Sequence, residues 1–344
     1  MLYNIIKFWE KKNMYTLAYK TKKSNNISSF KIQGNALNFM EITPVEDCVV
    51  DFGDGTKQTF TGNNSSTRVD HSYSESNIYT IKIIGNHSKF RASRNIIELI
   101  QISNSITSCS QMFYNCYNLT TISETCTIPN SVTNCSYMFQ NCSSLTTIPS
   151  TFTIPNSATS CKSMFYYCSS LTELPSTLKI PNSVTDCAFM FEGCTSLTAI
   201  PETFTLGNSV TDCSSMFASC KSLTTIPSTL KIPNSVTSCD YMFDSCSSLT
   251  AIPETLTIPN SATVCTHMFS GCSNLTSDIS NIWPDVWNST ETITLVAMFS
   301  GCSKVVGTVP ADKLWNSGKT FSSSGCFRSC TSLTNYDEIP AGWK

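Results

Sequence analysis

One short motif recurs along this chain at a constant spacing of 26 residues. The motif, Cys-x-x-Met-Phe-x-x-Cys-x-x-Leu-Thr, occurs seven times, and two degenerate copies follow at Met298-Phe299 and Cys326-Phe327. A fixed period of roughly 20 to 50 residues is typical of solenoids, whose units bury their apolar faces against one another. The spacing therefore predicts a repeat solenoid of about nine units and argues against an enzyme. The methionines that define the period are Met112, Met138, Met164, Met190, Met216, Met242 and Met268.

The apolar residues of a unit fall into two groups. Leu145-Thr-Thr-Ile148 places two apolar residues three apart, which favours a short strand that turns both of them inward. The spacing within Cys161 to Cys168 predicts a short helix or 3₁₀ turn that carries its Cys, Met and Phe on one inward face. The predicted structural core of two units is Met138, Phe139, Cys142, Leu145, Ile148, Met164, Phe165 and Cys168.

Two strings make the repeat resemble a known family. Residues 257–263 (Thr-Ile-Pro-Asn-Ser-Ala-Thr) and 268–276 (Met-Phe-Ser-Gly-Cys-Ser-Asn-Leu-Thr) closely resemble the BspA-like leucine-rich repeat, and the resemblance covers about residues 104–335. It implies a right-handed leucine-rich-repeat coil of short strands and helical or 3₁₀ turns. It also implies a protein of the surface or phage type that binds partners. This chain departs from the family pattern by placing Cys where Ile is usual and Met where Ala is usual.

The sequence before residue 100 has a different character. It shows strand-like alternation, and Gly53-Asp-Gly55 predicts a tight hairpin because glycine accepts positive φ freely. Asp51-Phe-Gly-Asp-Gly-Thr56, with His71-Ser-Tyr73, resembles a polycystic-kidney-disease (PKD) type β-sandwich, which implies an extracellular spacer or adhesive module without catalysis. Asp51 and Asp54 are weak calcium candidates, but Thr56, Lys57 and Gln58 follow where a calcium loop needs further oxygen ligands, so a structural turn is favoured.

These patterns divide the chain into four parts. The period fails after Leu275, and solenoids need atypical ends to cover the last exposed core. The residues expected to provide that cover are Trp283, Trp287, Trp315 and Trp343. The predicted parts are an N-terminal arm (1–26), a small all-β sandwich (27–100), regular 26-residue repeats (101–276), and degenerate repeats with a C-terminal cap (277–344).

Most of the 19 cysteines form two columns, one at each Cys of the motif. Equivalent residues of stacked units lie close enough for disulfide bonds, yet columns of seven and nine cannot pair completely within themselves. The Cys-x6-Cys spacing and the presence of only three histidines argue against zinc. We expect mainly reduced thiols that pack as small apolar groups, and no cofactor. Buried free thiols suit a reducing compartment, such as the cytosol in which a virion part is assembled.

The positions that vary between units are the candidates for recognition. Aromatic and polar residues flank the Met-Phe pair, and aromatic side chains carry much of the energy of interfaces; drift at unconstrained positions is the alternative. The candidate binding residues are Tyr137, Gln140, Tyr166, Tyr167, Phe189, Glu192, Tyr241, Asp244 and His267. Thr-x-Thr strings such as Thr151-Phe-Thr153 raise a remote ice-binding alternative, although Lys179 and Lys231 interrupt that ladder. No catalytic constellation breaks the repeat.

Composition narrows the partners and the location. Charged residues make up 13% of the chain without a dense Lys/Arg stripe, so nucleic acid is not an expected partner. No apolar run is long enough for a membrane helix, and Lys7 and Glu10 interrupt the only candidate signal peptide, although Met14 could be the true start. We expect a non-enzymatic binding, adhesion or structural protein that meets a protein or glycan at a cell or virion surface. The alternative is a phage tail-fibre, tail-tip or head-decoration protein that engages the host, with homo-oligomers possible in a virion.

Overall fold

The computed structural model describes residues 26–344 of the chain. The remainder of the predicted N-terminal arm, the possible start at Met14 and the interrupted apolar patch lie outside the described residues. The described part consists mainly of strands, bridges and turns, with almost no helix. Its two short 3₁₀ helices are Tyr336–Glu338 and Ala341–Trp343.

The described part of the chain contains nine strands: β1 (Ile27–Pro44), β2 (Cys48–Asp51), β3 (Lys57–Phe60), β4 (Thr67–Ile84), β5 (His87–Arg91), β6 (Ile96–Gln101), β7 (Thr121–Ile122), β8 (Ile293–Thr294) and β9 (Phe321–Ser322). Seven of them form one hydrogen-bonded sheet in the order β3-β2-β4-β1-β6-β7, with β5 paired to β1 as well. All pairs in this sheet are antiparallel except β6 with β7, and β8 and β9 form a separate parallel pair.

The N-terminal region is built from strands, as the sequence predicts, and its strands are joined by hydrogen bonds into one continuous sheet. Strands β1 and β4 are each 18 residues long and pair with each other over most of their length, with register shifts near Gly34 and between Leu37 and Met40. Because β1 also pairs with β5 near one end and β6 near the other, it joins all the strands into one sheet. Phe30 and Ile81, which face each other across β1 and β4, are fully buried.

Strand β6 connects this sheet to the repeats. It pairs antiparallel with β1 and parallel with β7, where Leu99 lies opposite Ile122. The N–H of Ser123 also donates to the carbonyl oxygen of Leu99 at 2.8 Å. The domain boundary predicted at residue 100 therefore falls inside a strand that both parts share.

Successive repeats lie side by side in parallel register. Isolated parallel bridges join residues 26 apart, such as Asn134 with Ser160 and Ser160 with Asp186. The N–H groups of Tyr137 and Phe139 donate to the carbonyls of Lys162 and Met164, both at 2.8 Å. Each unit therefore bonds to the next one through its backbone.

The predicted helical segment is instead a series of overlapping turns. Between the N–H groups that bond to the next unit, those of Met138, Gln140 and Cys142 each donate to the carbonyl three residues earlier. Tyr137 and Asn141 adopt the left-handed region, with φ of 61° and 59°. The prediction of a helix or 3₁₀ turn was wrong because every second N–H leaves the unit, so no continuous intrahelical ladder can form.

The predicted core residues line the interior of the array. Met138, Phe139, Cys142 and Leu145 are fully buried, and Ile148 is 5% exposed. The same is true of Met164, Phe165 and Cys168 in the next unit. The motif phenylalanines form one continuous stack, with neighbouring ring centroids 5.3 to 6.2 Å apart, through Phe113, Phe139, Phe165, Phe191, Phe217, Phe243, Phe269, Phe299 and Phe327.

Tryptophans cover the last repeat. The ring of Trp343 stacks on Phe327 at 6.3 Å, and Trp283 meets the edges of Phe299 and Phe327. Trp283 and Trp343 are buried, as is Trp287, whose indole N–H donates to the carbonyl of Lys313 at 2.9 Å. Trp315 is partly buried against Trp343.

Candidate binding face

We define the variable face as the residue before each motif Met and the two residues after each motif Phe. The residue before Met and the second residue after Phe lie in the left-handed region in successive units, as in Phe189 (φ 61°) and Tyr167 (φ 56°). Non-glycine residues rarely adopt this conformation, and those that do cost about 1 to 3 kcal/mol each. The fold thus tolerates backbone strain at the positions where side-chain identity changes most.

Hydrogen bonds between units place equivalent positions next to one another. Phe189 N–H donates to Ser214, and Ser215 N–H donates to Asp240, at 2.8 and 2.6 Å. Side chains at the same position of consecutive units therefore form columns across the variable face. The chemical character of each part of the face therefore depends on which side chains successive units place in the column.

One group of candidate residues forms an aromatic cluster. Tyr166 lies 4.6 Å from Tyr167 and 6.5 Å from Phe189, measured between ring centroids. The ammonium of Lys162 lies 5.6 Å from the centroid of the Phe189 ring. Tyr167 is 46% exposed, so the cluster presents an aromatic surface to solvent.

Gly193 makes room for this cluster. It adopts φ +73°, and a Cβ added to it would lie 2.8 Å from the ring of Tyr167. The Tyr167 ring therefore lies directly over the backbone of the next unit. The neighbouring Glu192 is half-buried, and burial, with a smaller contribution from Asp244, raises its pKa.

A second cluster lies further along the face. Tyr241 and His267 stack with their centroids 4.7 Å apart and their planes within 4°. Burial raises the pKa of the nearby Asp240, whose Oδ1 is buried without a hydrogen-bond partner among the described residues. Asp244 accepts a hydrogen bond from the hydroxyl of Ser245 at 2.8 Å.

The predicted residues thus form two groups. The intervening unit carries Ser215 and Ala218, which are both buried, in the columns of the aromatic residues. Tyr137 and Gln140 are half-exposed and belong to the unit before the first cluster. The nine candidates share a face, but the structure does not bring them into one site.

Threonines have a role that sequence reasoning missed. The hydroxyl and the N–H of Thr185 both donate to the carbonyl of Thr159, at 3.4 and 2.9 Å. Thr198 does the same with Thr172, at 3.3 and 3.2 Å. A third column donates its hydroxyls in the same way, including Thr151 to Glu124 at 2.7 Å. The threonine hydroxyls therefore bond adjacent units to each other. The sequence could have indicated this role, because Thr stands at the same position in every copy. The ice-binding alternative stays a prediction.

The two cysteine columns consist of buried, unbridged thiols. In the second column the thiol donates to the carbonyl of a motif Phe, as Cys168 does to Phe139 at 3.2 Å and Cys194 to Phe165 at 3.3 Å. In the first column Cys213 Sγ lies 3.9 Å from Cys239 Sγ. Burial raises the pKa of the Cys194 thiol to about 12, so that thiol is protonated at neutral pH. Among residues 26–344, no cluster of three or more His, Cys, Asp or Glu side chains is arranged to hold a metal ion.

The calcium candidates hold a hairpin. Asp51 pairs with Lys57 at 3.0 Å across β2 and β3, and Asp54 accepts from the N–H and hydroxyl of Thr56 at 2.9 and 2.6 Å. Asp54 Oδ2 also lies 2.7 Å from His71 Nε2. These contacts lower the pKa of Asp54, with the Thr56 hydroxyl as the largest cause. Both carboxylates therefore have partners within the chain.

Two histidines contact hydroxyl groups, which is the pattern of an activated nucleophile. Ser28 Oγ lies 2.8 Å from His87 Nε2, but both residues are fully buried, so no substrate reaches them. Thr56 and Asp54 contact the same nitrogen of His71, whereas a triad needs the acid on one nitrogen and the hydroxyl on the other. Neither arrangement supplies a catalytic group.

Comparison with protein families places the repeats in a family. The family model described as "Mycoplasma protein of unknown function, DUF285" matches residues 82–204, 181–252 and 211–338, which together span about three quarters of the chain. No curated protein matches the sequence. In the described part, no helix is long and apolar enough to cross a bilayer.

Proposed function

This chain belongs to the DUF285 family, and we propose that it is a non-enzymatic binding protein that presents the variable face to a protein or glycan at a cell or virion surface. One observation carries the proposal. The residues that hold the array are the same in successive units, whereas exposed rings and half-buried carboxylates are confined to a few positions between them. Proteins that recognise partners commonly concentrate binding energy in such aromatic residues on a rigid scaffold.

The aromatic cluster has the chemistry of a recognition site. Tyr166, Tyr167 and Phe189 are already ordered by contacts with one another and with Lys162. A partner that covers them therefore orders few additional side chains, and the cost in conformational entropy is small. Glu192 beside them can accept hydrogen bonds from hydroxyl or amide groups of the partner.

We also propose that the array is a leucine-rich-repeat coil of the BspA-like type. The parallel bridges between units and the burial of every motif Leu support this interpretation. The two segments that resemble a PKD-type module contact each other. The Tyr73 hydroxyl donates to the carbonyl of Phe52 at 3.0 Å, and the His71 ring stacks on Phe52 with the centroids 4.1 Å apart.

The cysteine columns bear on where the protein works. Thiols as close as those of Cys213 and Cys239 are exposed to oxidation during passage through an oxidising secretion route. The absence of disulfide bonds between these thiols favours the alternative of a phage virion component assembled in a reducing cytosol over a protein secreted to a cell surface. Thiol counting on the native particle or cell fraction distinguishes the two settings.

The proposal can be tested by exchanging residues between units. A triple variant, Tyr166→Ala, Tyr167→Ser and Phe189→Ser, introduces the residues that the unit around Met216 carries at the equivalent positions, which are Ala218, Ser219 and Ser215. Ser219 and Ser215 adopt φ values of 58° and 54° there, so the backbone should accept the change. We expect binding to immobilised glycans or cell-surface ectodomains to weaken by roughly 30-fold or more, because a lost aromatic hot spot costs about 2 kcal/mol or more.

Lys179→Thr is the matched control. It places at an exposed position the residue that Thr153 and Thr205 provide in adjacent units, outside the variable face. The control should bind like the unmodified chain in interferometry at equal concentrations. Equal affinity of the triple variant and the control for a bound partner would refute the proposal, and so would the absence of binding across the whole panel.

A further inference from the structure

We propose that a pocket at the junction of the sheet and the first repeat binds an acidic saccharide, a sugar that carries a carboxylate. The pocket has a volume of about 480 Å³, which lies within the range of roughly 300 to 1,000 Å³ typical of small-molecule sites. It is lined by Arg91, Arg94, Asn95, Tyr114, Tyr117 and Asn118.

Two guanidinium groups give the pocket a positive charge. Among residues 26–344, no carboxylate lies within ion-pair distance of Arg91 or Arg94. Arg91 faces Glu41 across β1 and β5, but its guanidinium lies over the ring of Tyr114, 5.2 Å from the centroid. Guanidinium groups bind carboxylates through paired hydrogen bonds, so this pocket is suited to a planar anion.

The remaining lining residues suit the body of a sugar. Tyr117 is 45% exposed, and its ring offers an apolar surface on which the C–H face of a pyranose can lie. The exposed amide of Asn118 can donate to and accept from ring hydroxyls. The side chain of Asn95 is held in place, since its amide donates to the carbonyl of Ala36 at 2.8 Å. The pocket therefore combines an anion site with an aromatic platform and amide groups.

A nucleic acid fits this pocket less well. Binding to a polyanion draws on many basic residues along a stripe, whereas this pocket has two and the chain has a net charge of −2. A single negative charge on a ring with hydroxyl groups matches the two arginines and the two tyrosines. The inference rests on the proposed function because Tyr114 occupies, in the first unit, the same column as Gln140 and Tyr166 of the variable face.

The test is direct titration of the full chain with small probes. We expect isothermal titration calorimetry to detect glucuronate, and to show glucose, which lacks the carboxylate, binding roughly tenfold or more weakly. An Arg91→Gln, Arg94→Gln double variant should lose the preference for glucuronate. Tyr117→Ser, which introduces the residue of Ser143 and Ser169 at an exposed position, should weaken both sugars equally. Arg328→Gln, at an exposed arginine in the last unit, is the control and should bind like the unmodified chain.

Three results would overturn the inference. They are equal binding of glucose and glucuronate, unchanged glucuronate binding in the double variant with an unaltered circular dichroism spectrum, and inorganic phosphate or sulfate binding as tightly as glucuronate. The triple variant of the aromatic cluster separates this inference from the proposed function. That variant should lose partner binding but keep glucuronate binding. The arginine double variant should lose the preference for glucuronate, so the two proposals can fail independently.

Discussion

A glycine series tests how the variable face is built. Gly193, Gly271 and Gly301 occupy the same position of their units, with φ of 73°, 71° and 81°. An added Cβ would meet the Tyr167 ring at 2.8 Å from Gly193, Ser245 Oγ at 3.3 Å from Gly271, and a backbone nitrogen at 3.8 Å from Gly301. The three alanine substitutions therefore share one backbone cost and differ in steric cost.

The magnitudes follow from these distances. A left-handed conformation costs an L-residue about 1 to 2 kcal/mol, and the loss of freedom in the unfolded chain returns about 0.4 to 1 kcal/mol. Gly301→Ala should thus lower the free energy of unfolding by about 1 kcal/mol. Gly193→Ala must also displace the Tyr167 ring, and overpacking of this kind adds about 1 to 3 kcal/mol. Gly271→Ala should fall between them.

The assay is urea unfolding followed by far-ultraviolet circular dichroism. A Tyr167→Ser, Gly193→Ala double variant removes the ring that the new methyl group meets, so it should recover about 1 kcal/mol or more relative to additivity. Equal costs for Gly193→Ala and Gly301→Ala would refute the placement of the Tyr167 ring over the next unit. An additive double variant would refute it as well.

Three further predictions concern other parts of the chain. Burial lowers the pKa of His87 to about 4, so between pH 6.5 and 4 only the unfolded chain takes up the proton. The free energy of unfolding should therefore be fully retained above pH ~6.5 and fall by roughly 3 kcal/mol between pH 6.5 and 4. Chemical denaturation at several pH values should show that His87→Gln lacks this part of the pH dependence. Ellman's reagent under non-reducing conditions should react slowly with the native protein and with nearly all of the 19 cysteines after denaturation. Disulfide-paired thiols would contradict the expectation that the two cysteine columns are reduced. Thr185→Val keeps the shape but removes the hydroxyl that donates to Thr159, so urea unfolding should show a loss of about 0.5 to 1.5 kcal/mol. An unchanged free energy of unfolding would mean that these hydroxyl groups do not tie the units together.

The sequence period was sufficient to predict the interior of the array. Met164, Phe165 and Cys168 are buried because a strict repeat leaves each apolar position only one place to go, against the same position of its neighbour. The local backbone conformation was harder to predict from the sequence. The segment around Tyr137 has helical spacing, but its N–H groups bond to a unit 25 residues further along the chain, and local patterns do not report such contacts.

The candidate sites, too, could be predicted from the sequence only in part. Exposure of Tyr167 and Tyr241 follows from their variable positions, but the separation of the two aromatic clusters depends on the small residues of the unit between them. The junction pocket could not be read from the sequence, since Arg91 and Arg94 precede the repeats while Tyr114 and Tyr117 belong to the first unit. The pairing of β6 with both parts and the hydrogen bond from Ala92 to Met112 bring those residues together.

The two ends of the array are closed by the chain itself. Ala92 N–H donates to the carbonyl of Met112 at 2.7 Å, in the way that one unit donates to the next. At the other end, Phe327 N–H donates to the carbonyl of Trp343 at 2.8 Å, which takes the place of a further unit. Copies of this protein therefore have no free backbone edge at these points on which to polymerise end to end. A second copy could continue the array at either of these points only after Ala92 or Trp343 gave up the hydrogen bond that it forms here.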